Sequence, residues 1–223
     1  MTMDMMKLLE INSLSYLTGN SRRITVSAVL EEGGVLNVRG PSGVGKTTLL
    51  RTLARLREPL EGTVLLKGKP WTGYPPVQWR RMVHYAAQKP VVFDGTVEEN
   101  LRKPFELAAV KSDLEYNREK AYRLMEQLLL PRGMAEQDAR TLSGGESSRM
   151  GLIRAVMVDP VILLLDEPLA ALDNRAALAV LEFISAWLGE VPGRGVVLVS
   201  HAGETGGMPR LTTVELEPVE EGI

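Results

Sequence analysis

The octapeptide GPSGVGKT at residues 40–47 constrains this chain more than any other stretch. It fits G-x-x-x-x-G-K-[ST], and it lies between the apolar run GGVLNVRG and the helix-forming run KTTLLRTLARL. A strand before and a helix after are the context that makes the pattern a phosphate cradle. Gly40 and Gly45 permit a tight loop through Pro41, Ser42, Gly43 and Val44, and the N–H groups of Ser42, Gly43, Val44 and their neighbours are expected to point at a β-phosphate. Proline lacks an N–H, so Pro41 contributes only shape. Lys46 is expected to bridge the β- and γ-phosphates, Thr47 to ligate Mg²⁺, and Thr48 to add a hydroxyl at the α-phosphate. Average residue usage makes a chance match in a chain of this length an event on the order of one per cent.

A strand feeding a loop and then a helix is the α/β signature with a mostly parallel sheet. LLEINSL and RRITVSAVL open the chain as two β-like stretches, which suits an antiparallel β subdomain ahead of a P-loop NTPase core. TVLLKG, MVHYAA, VILLLDE, GVVLVSH and TTVELE read as further strands. Ligands in open parallel sheets sit at the carboxyl ends of strands, where several of these runs turn polar. From about Thr96 to Met157 no good strand occurs, while SDLEYNREKAYRLMEQLLL has helical apolar spacing. The expected organisation is a single domain over 1–223, with a core of about 1–88 and 158–223 and an inserted helical lobe of about 89–157.

The 223 residues carry a net charge of -2, which argues against a strongly basic nucleic-acid binder. There are no cysteines, so thiolate metal sites and disulfides are excluded. The opening MTMDMMKLLE is broken by charges and lacks the apolar core of a secretory signal. No apolar run approaches the ~20 residues of a spanning helix. A soluble, cytoplasmic chain is expected, with any membrane role supplied by a partner.

VILLLDE, residues 161–167, delivers Asp166 to the sheet edge, where it would hold Mg²⁺ through water. Glu167 is then placed to polarise an attacking water. By itself an apolar strand ending in two acids is more often a solvated strand end; the presence of GPSGVGKT reverses that balance. A second anion-like element, TLSGGESSRM at 141–150, has small residues at a helix start but no lysine.

With LSGGE standing shortly before VILLLDE, the chain resembles the ATP-binding subunits of ABC transporters, whose signature is usually LSGGQ. The motifs fall in the family's order: Tyr16, GPSGVGKT, Gln88, LSGGE, VILLLDE, Leu172-Asp173 and His201. The resemblance implies an ATPase fold working as a head-to-tail pair. Ser143, Gly144, Gly145 and Glu146 of one copy would cap the γ-phosphate held by the other. It also implies that Gln88 contacts metal and water, that Asp173 touches the partner copy besides capping a helix, and that His201 contacts the γ-phosphate. Tyr16 stands at a distance from Lys46 that suits a ring stacked on adenine, with a half-buried strand-end aromatic as the plainer reading. Stacking reads base identity poorly, so ATP and GTP are both admitted. His84, inside MVHYAA, reads as structural, and Trp71, Tyr74 and Trp79 as packing at the edge of the small lobe.

The sequence departs from the family pattern in places. Glu146 replaces the usual glutamine, Ser147 and Ser148 replace longer polar residues, and Ala202 follows His201 where many relatives have aspartate. The resemblance further implies a membrane permease seated near Val91, Val92 and Phe93, and FDGTVEENL with LSGGE looks most like the iron-efflux type. The rival reading is a soluble ABC-type ATPase in cofactor assembly or another non-transport process.

Overall fold

The computed structural model describes residues 6–19, 22–200 and 205–217. Alternating apolar and polar residues produce β2 (Arg23–Glu31), which pairs antiparallel with β1 (Lys7–Leu17), a strand with two register irregularities, placing Leu14 opposite Val26 and Tyr16 opposite Ile24. β3 (Val35–Arg39) follows and leads through the glycine-rich loop into α1 (Lys46–Leu53). β4 (Glu61–Leu66) returns to pair with β1, and the short β5 (Lys69–Pro70) completes a four-stranded antiparallel sheet in the order β2-β1-β4-β5.

After α2 (Pro76–Met82) the chain enters β6 (Val83–Ala86). No strand is found among the described residues between β6 and residue 157. That stretch instead holds α3 (Val97–Arg102), α4 (Ala108–Lys111), α5 (Arg118–Gln127) and α6 (Gly144–Met157), joined by 3-10 turns. Glu98 ties part of it together: it is buried and accepts from Arg102, Arg118 and the Tyr122 hydroxyl. Burial works against its charge, yet the bonds from Arg118 and Tyr122 hold its carboxyl below the usual range.

β7 (Ile162–Asp166), α7 (Asn174–Glu190), β8 (Gly195–Val199) and β9 (Leu211–Glu215) finish the fold. β7 and β8 are buried at every position, as strands covered on both faces must be. The second sheet runs β6-β7-β8-β3-β9 with every pairing parallel. Because side chains alternate, its two faces belong to two cores. Ile162, Leu164, Val197 and Val199 pack with α1 and the antiparallel sheet. Leu163, Leu165, Val196 and Leu198 pack with α6, α7 and the helical segment.

Trp71, Tyr74 and Trp79 are more central than an edge position. Trp79 is fully buried between the rings of the other two, and its Nε1 donates to the Leu53 carbonyl at 2.7 Å, closing the end of α1. His84 is partly buried, and loss of hydration pushes its imidazole down to about 4.

Candidate functional site

The phosphate loop needs its glycines for different reasons. Gly40 has φ +140, and a Cβ there would lie 2.6 Å from the Leu216 carbonyl. Gly45 has φ +111, and a Cβ would press on Thr18 at 2.8 Å and on the Tyr16 ring at 3.3 Å. Gly45 caps α1 without any side-chain acceptor, so the first N–H groups of that helix are left for an anion. Lys46 is 8% exposed, and its ammonium folds back to donate to the Gly40 and Pro41 carbonyls at 2.8 and 3.0 Å. Thr47 and Thr48 follow on the first turn of the helix.

The two acids stand across the sheet from this loop. Asp166 is 5% exposed and on the same face as Ile162 and Leu164, which directs it towards α1. Its Oδ1 accepts the Thr47 hydroxyl at 3.0 Å, a contact spanning 119 residues of sequence. Its Oδ2 accepts the Tyr85 hydroxyl at 2.8 Å. Burial, aided by that carboxylate, pushes the Tyr85 hydroxyl up to about 12, so it remains a donor. Arg51 Nε donates in turn to the Tyr85 oxygen at 3.4 Å. Glu167 sits at φ +49, an unusual conformation for a side chain with a Cβ, and its Oε2 accepts the Gln88 amide at 2.7 Å.

Thr47 is thus bonded to Asp166 and Gln88 to Glu167, which gathers two pairs of oxygen-bearing side chains on consecutive residues at the end of β7. Among the described residues no group of three or more His, Cys, Asp or Glu could hold a metal unaided. The donor set fits Mg²⁺, which is bound by one or two protein oxygens plus phosphates and water.

The second anion-like element is a closed capping box. Ser143 Oγ accepts from the Glu146 N–H at 3.3 Å, and Glu146 Oε2 accepts from the Ser143 N–H at 2.8 Å. These bonds hold the Glu146 carboxyl below its usual range. A Cβ on Gly144 would meet open space, whereas one on Gly145 would touch Leu172 and the Ala171 carbonyl. Asp173 caps α7 by accepting from the Ala176 N–H at 2.8 Å, so the helix-capping reading of that residue holds.

Two expectations meet a different arrangement. Tyr16 is 1% exposed and lies under Gly45, where it presents no face to a base. Its place in β1, paired with Ile24, turns the ring into the core, and burial pushes its unpartnered hydroxyl upwards. The stacking role is therefore withdrawn. A hollow of about 130 Å³ lined by Thr18, Arg22, Ile24 and the loop residues Pro41–Val44 lies beside the phosphate loop instead. Of the docking trio, Val91 (64%) and Phe93 (40%) are exposed, while Val92 packs on the core. His201 and Ala202 lie outside the described residues. Tyr85 and Arg51 were not singled out from the sequence; a polar ring on the same strand face as Val83, next to an Asp-ended strand, was the available signal.

The ABC transporter family profile matches residues 24–170. Among curated proteins, the probable iron export ATP-binding protein FetA of Escherichia coli (strain K12) is 34% identical, covering 87% of this chain and 84% of FetA. ABC transporter I family member 17 of Arabidopsis thaliana is 35% identical, over 87% of this chain and 73% of its own. Among solved structures, the dimeric post-hydrolysis state of the ATP-binding cassette MJ0796 bound to ADP and Pi matches with TM-score 0.76 at 21% identity, covering 95% and 98% of the two chains. A bacterial Atm1-family ABC exporter with ATP bound gives TM-score 0.78 at 23% identity, over 97% of this chain and 38% of that one. At these identities the two structures speak to the fold.

Proposed function

The chain belongs to the ABC transporter family, and on that premise we propose how its residues share the work of an ATP-binding, ATP-hydrolysing subunit that energises transport. The observation that carries the reading is the Thr47–Asp166 bond, which joins the phosphate loop to the acid-ended strand. ATP lies with its phosphates over residues 40–48, and Lys46 leaves the Gly40 and Pro41 carbonyls to meet the β- and γ-phosphates. The base occupies the hollow beside Arg22. Thr47, Asp166 and Gln88 would hold Mg²⁺, which would supply screening of the phosphate charge.

Glu167 orients the attacking water, and His201 hydrogen-bonds the γ-phosphate. A second copy then closes the site head to tail: its Ser143–Glu146 turn presents the Gly144 and Gly145 N–H groups, which lie outside the capping box, to that phosphate, and its Asp173 touches the facing chain. The segment of about 89–157 acts as a lobe that turns against the core of about 1–88 and 158–223. It carries a membrane permease on Val91 and Phe93, which places the chain at the inner face of the membrane. The likeness to an iron-export subunit supports efflux of a metal cargo.

Glu167→Gln is the test. The amide keeps size and hydrogen bonding but loses the base, so ATP should persist and bind two copies together. Expected are negligible hydrolysis and an ATP-dependent shift from monomer to dimer in size-exclusion chromatography with light scattering. ADP should not substitute, and Ser143→Arg in the same background should block the shift. A variant that binds ATP and remains monomeric at high concentration would sink the split site. Reconstitution with the permease in vesicles, with labelled metal ions as one arm of a solute panel, tests the cargo.

A further inference from the structure

We infer that Tyr85, supported by Arg51, is a positioning residue that sets the plane of the Asp166 carboxylate and so tunes this chain's grip on its divalent cation. The inference rests on the ATP-site reading above.

The outer torsion of an aspartate is soft, with broad two-fold wells, so the plane of a carboxylate is set by what its two oxygens touch. Here each oxygen has its own donor: Thr47 on Oδ1 and Tyr85 on Oδ2. The two come from different elements. Thr47 arrives from α1, whereas Tyr85 arrives from the neighbouring strand, where β6 pairs with β7 and Tyr85 stands opposite Leu164. A side chain opposite residue 164 reaches residue 166 along the diagonal, a distance an aromatic side chain spans. Both residues point to the same face because two positions separate 164 from 166.

Arg51 completes the chain of bonds. It lies one helical turn beyond Thr47 on α1, so both face the carboxylate strand. Its Nε reaches the Tyr85 oxygen, and its guanidinium carbon lies 5.9 Å from the ring centroid. One helix therefore addresses both oxygens of Asp166, directly through Thr47 and indirectly through Arg51 and Tyr85. With Oδ2 engaged by Tyr85, Oδ1 is left to the Thr47 hydroxyl at the start of α1. Packing alone would be satisfied by phenylalanine at position 85. The hydroxyl is what the carboxylate uses.

Partners of this kind typically change metal affinity by about 10- to 100-fold when removed. Tyr85→Phe should therefore weaken Mn²⁺ binding by about 10-fold, measured by electron paramagnetic resonance with a non-hydrolysable ATP analogue present. Binding of the same analogue in EDTA should be unchanged, as should the thermal midpoint within error. Arg51→Met should move Mn²⁺ affinity in the same direction by a smaller factor, and it decides the matter should the tyrosine variant fail to fold. Unchanged Mn²⁺ affinity in a folded Tyr85→Phe chain overturns the proposal alone. An equal loss of analogue binding in EDTA also overturns it, since it would mark a general packing role. A wild-type chain that binds no nucleotide overturns both this proposal and the ATP reading beneath it.

Discussion

Tyr16 separates two things that a linear spacing merges. Its distance from Lys46 is a property of the chain, but the side of β1 on which it falls is a property of pairing, and the pairing with Ile24 turns it inward. Its hydroxyl is buried without a partner, which costs stability that a hydrogen bond would otherwise offset. Tyr16→Phe should therefore leave the ATP dissociation constant unchanged and keep or raise the thermal midpoint. Tyr16→Ala should cost about 3–5 kcal/mol in urea unfolding, as other large core truncations do. A selective loss of ATP affinity in the phenylalanine variant would return the residue to the nucleotide. The phosphate loop, Asp166 and Glu167 were legible because each is carried by a contiguous motif. Tyr85 and Arg51 were not, since their significance depends on a strand register and a helix face that join residues 34 positions apart.

Among the elements, the start of α6 holds a tension of charge. Glu146 closes the capping box, so a carboxylate stands where the γ-phosphate of a second chain is proposed to arrive. Both anions seek the positive end of one helix. Glu146→Gln retains the side-chain acceptor for the Ser143 N–H and removes the charge. In the Glu167→Gln background it should tighten the ATP-dependent dimer by about three- to thirty-fold, the scale of a terminal charge on a helix at each of two sites, as read by sedimentation equilibrium. A weaker dimer would mean that the carboxylate itself is recognised across the interface. The parallel strands were readable as elements because unbroken apolar runs such as VILLL admit little else. The helical stretch was less so. α5 stops at Gln127 although the apolar spacing continues, because Leu129 adopts φ +56 and turns the chain away. No sequence signal marks a leucine for that conformation.

For the whole molecule the decisive relation is between the site and the exposed pair Val91 and Phe93. Val91→Ser with Phe93→Ser should leave the basal ATPase rate of the isolated chain unchanged. It should abolish co-purification with the permease and the stimulation that the permease gives, measured in detergent micelles. Retained co-purification would move the docking surface elsewhere. Gln88, which holds Glu167, stands three positions before Val91. Ordinary backbone has two soft torsions per residue, enough for a short loop to absorb a push. Here Pro90 has lost one of them to its ring. A Cβ on Gly151 would lie 2.7 Å from Pro90, so the proline rests directly against α6, and Arg154 of the same helix grips the Val91 carbonyl at 2.8 Å. A linkage so short and so firmly seated has little backlash: a push received at the outer end arrives at the Glu167 carboxylate as movement, and not as slack taken up along the way.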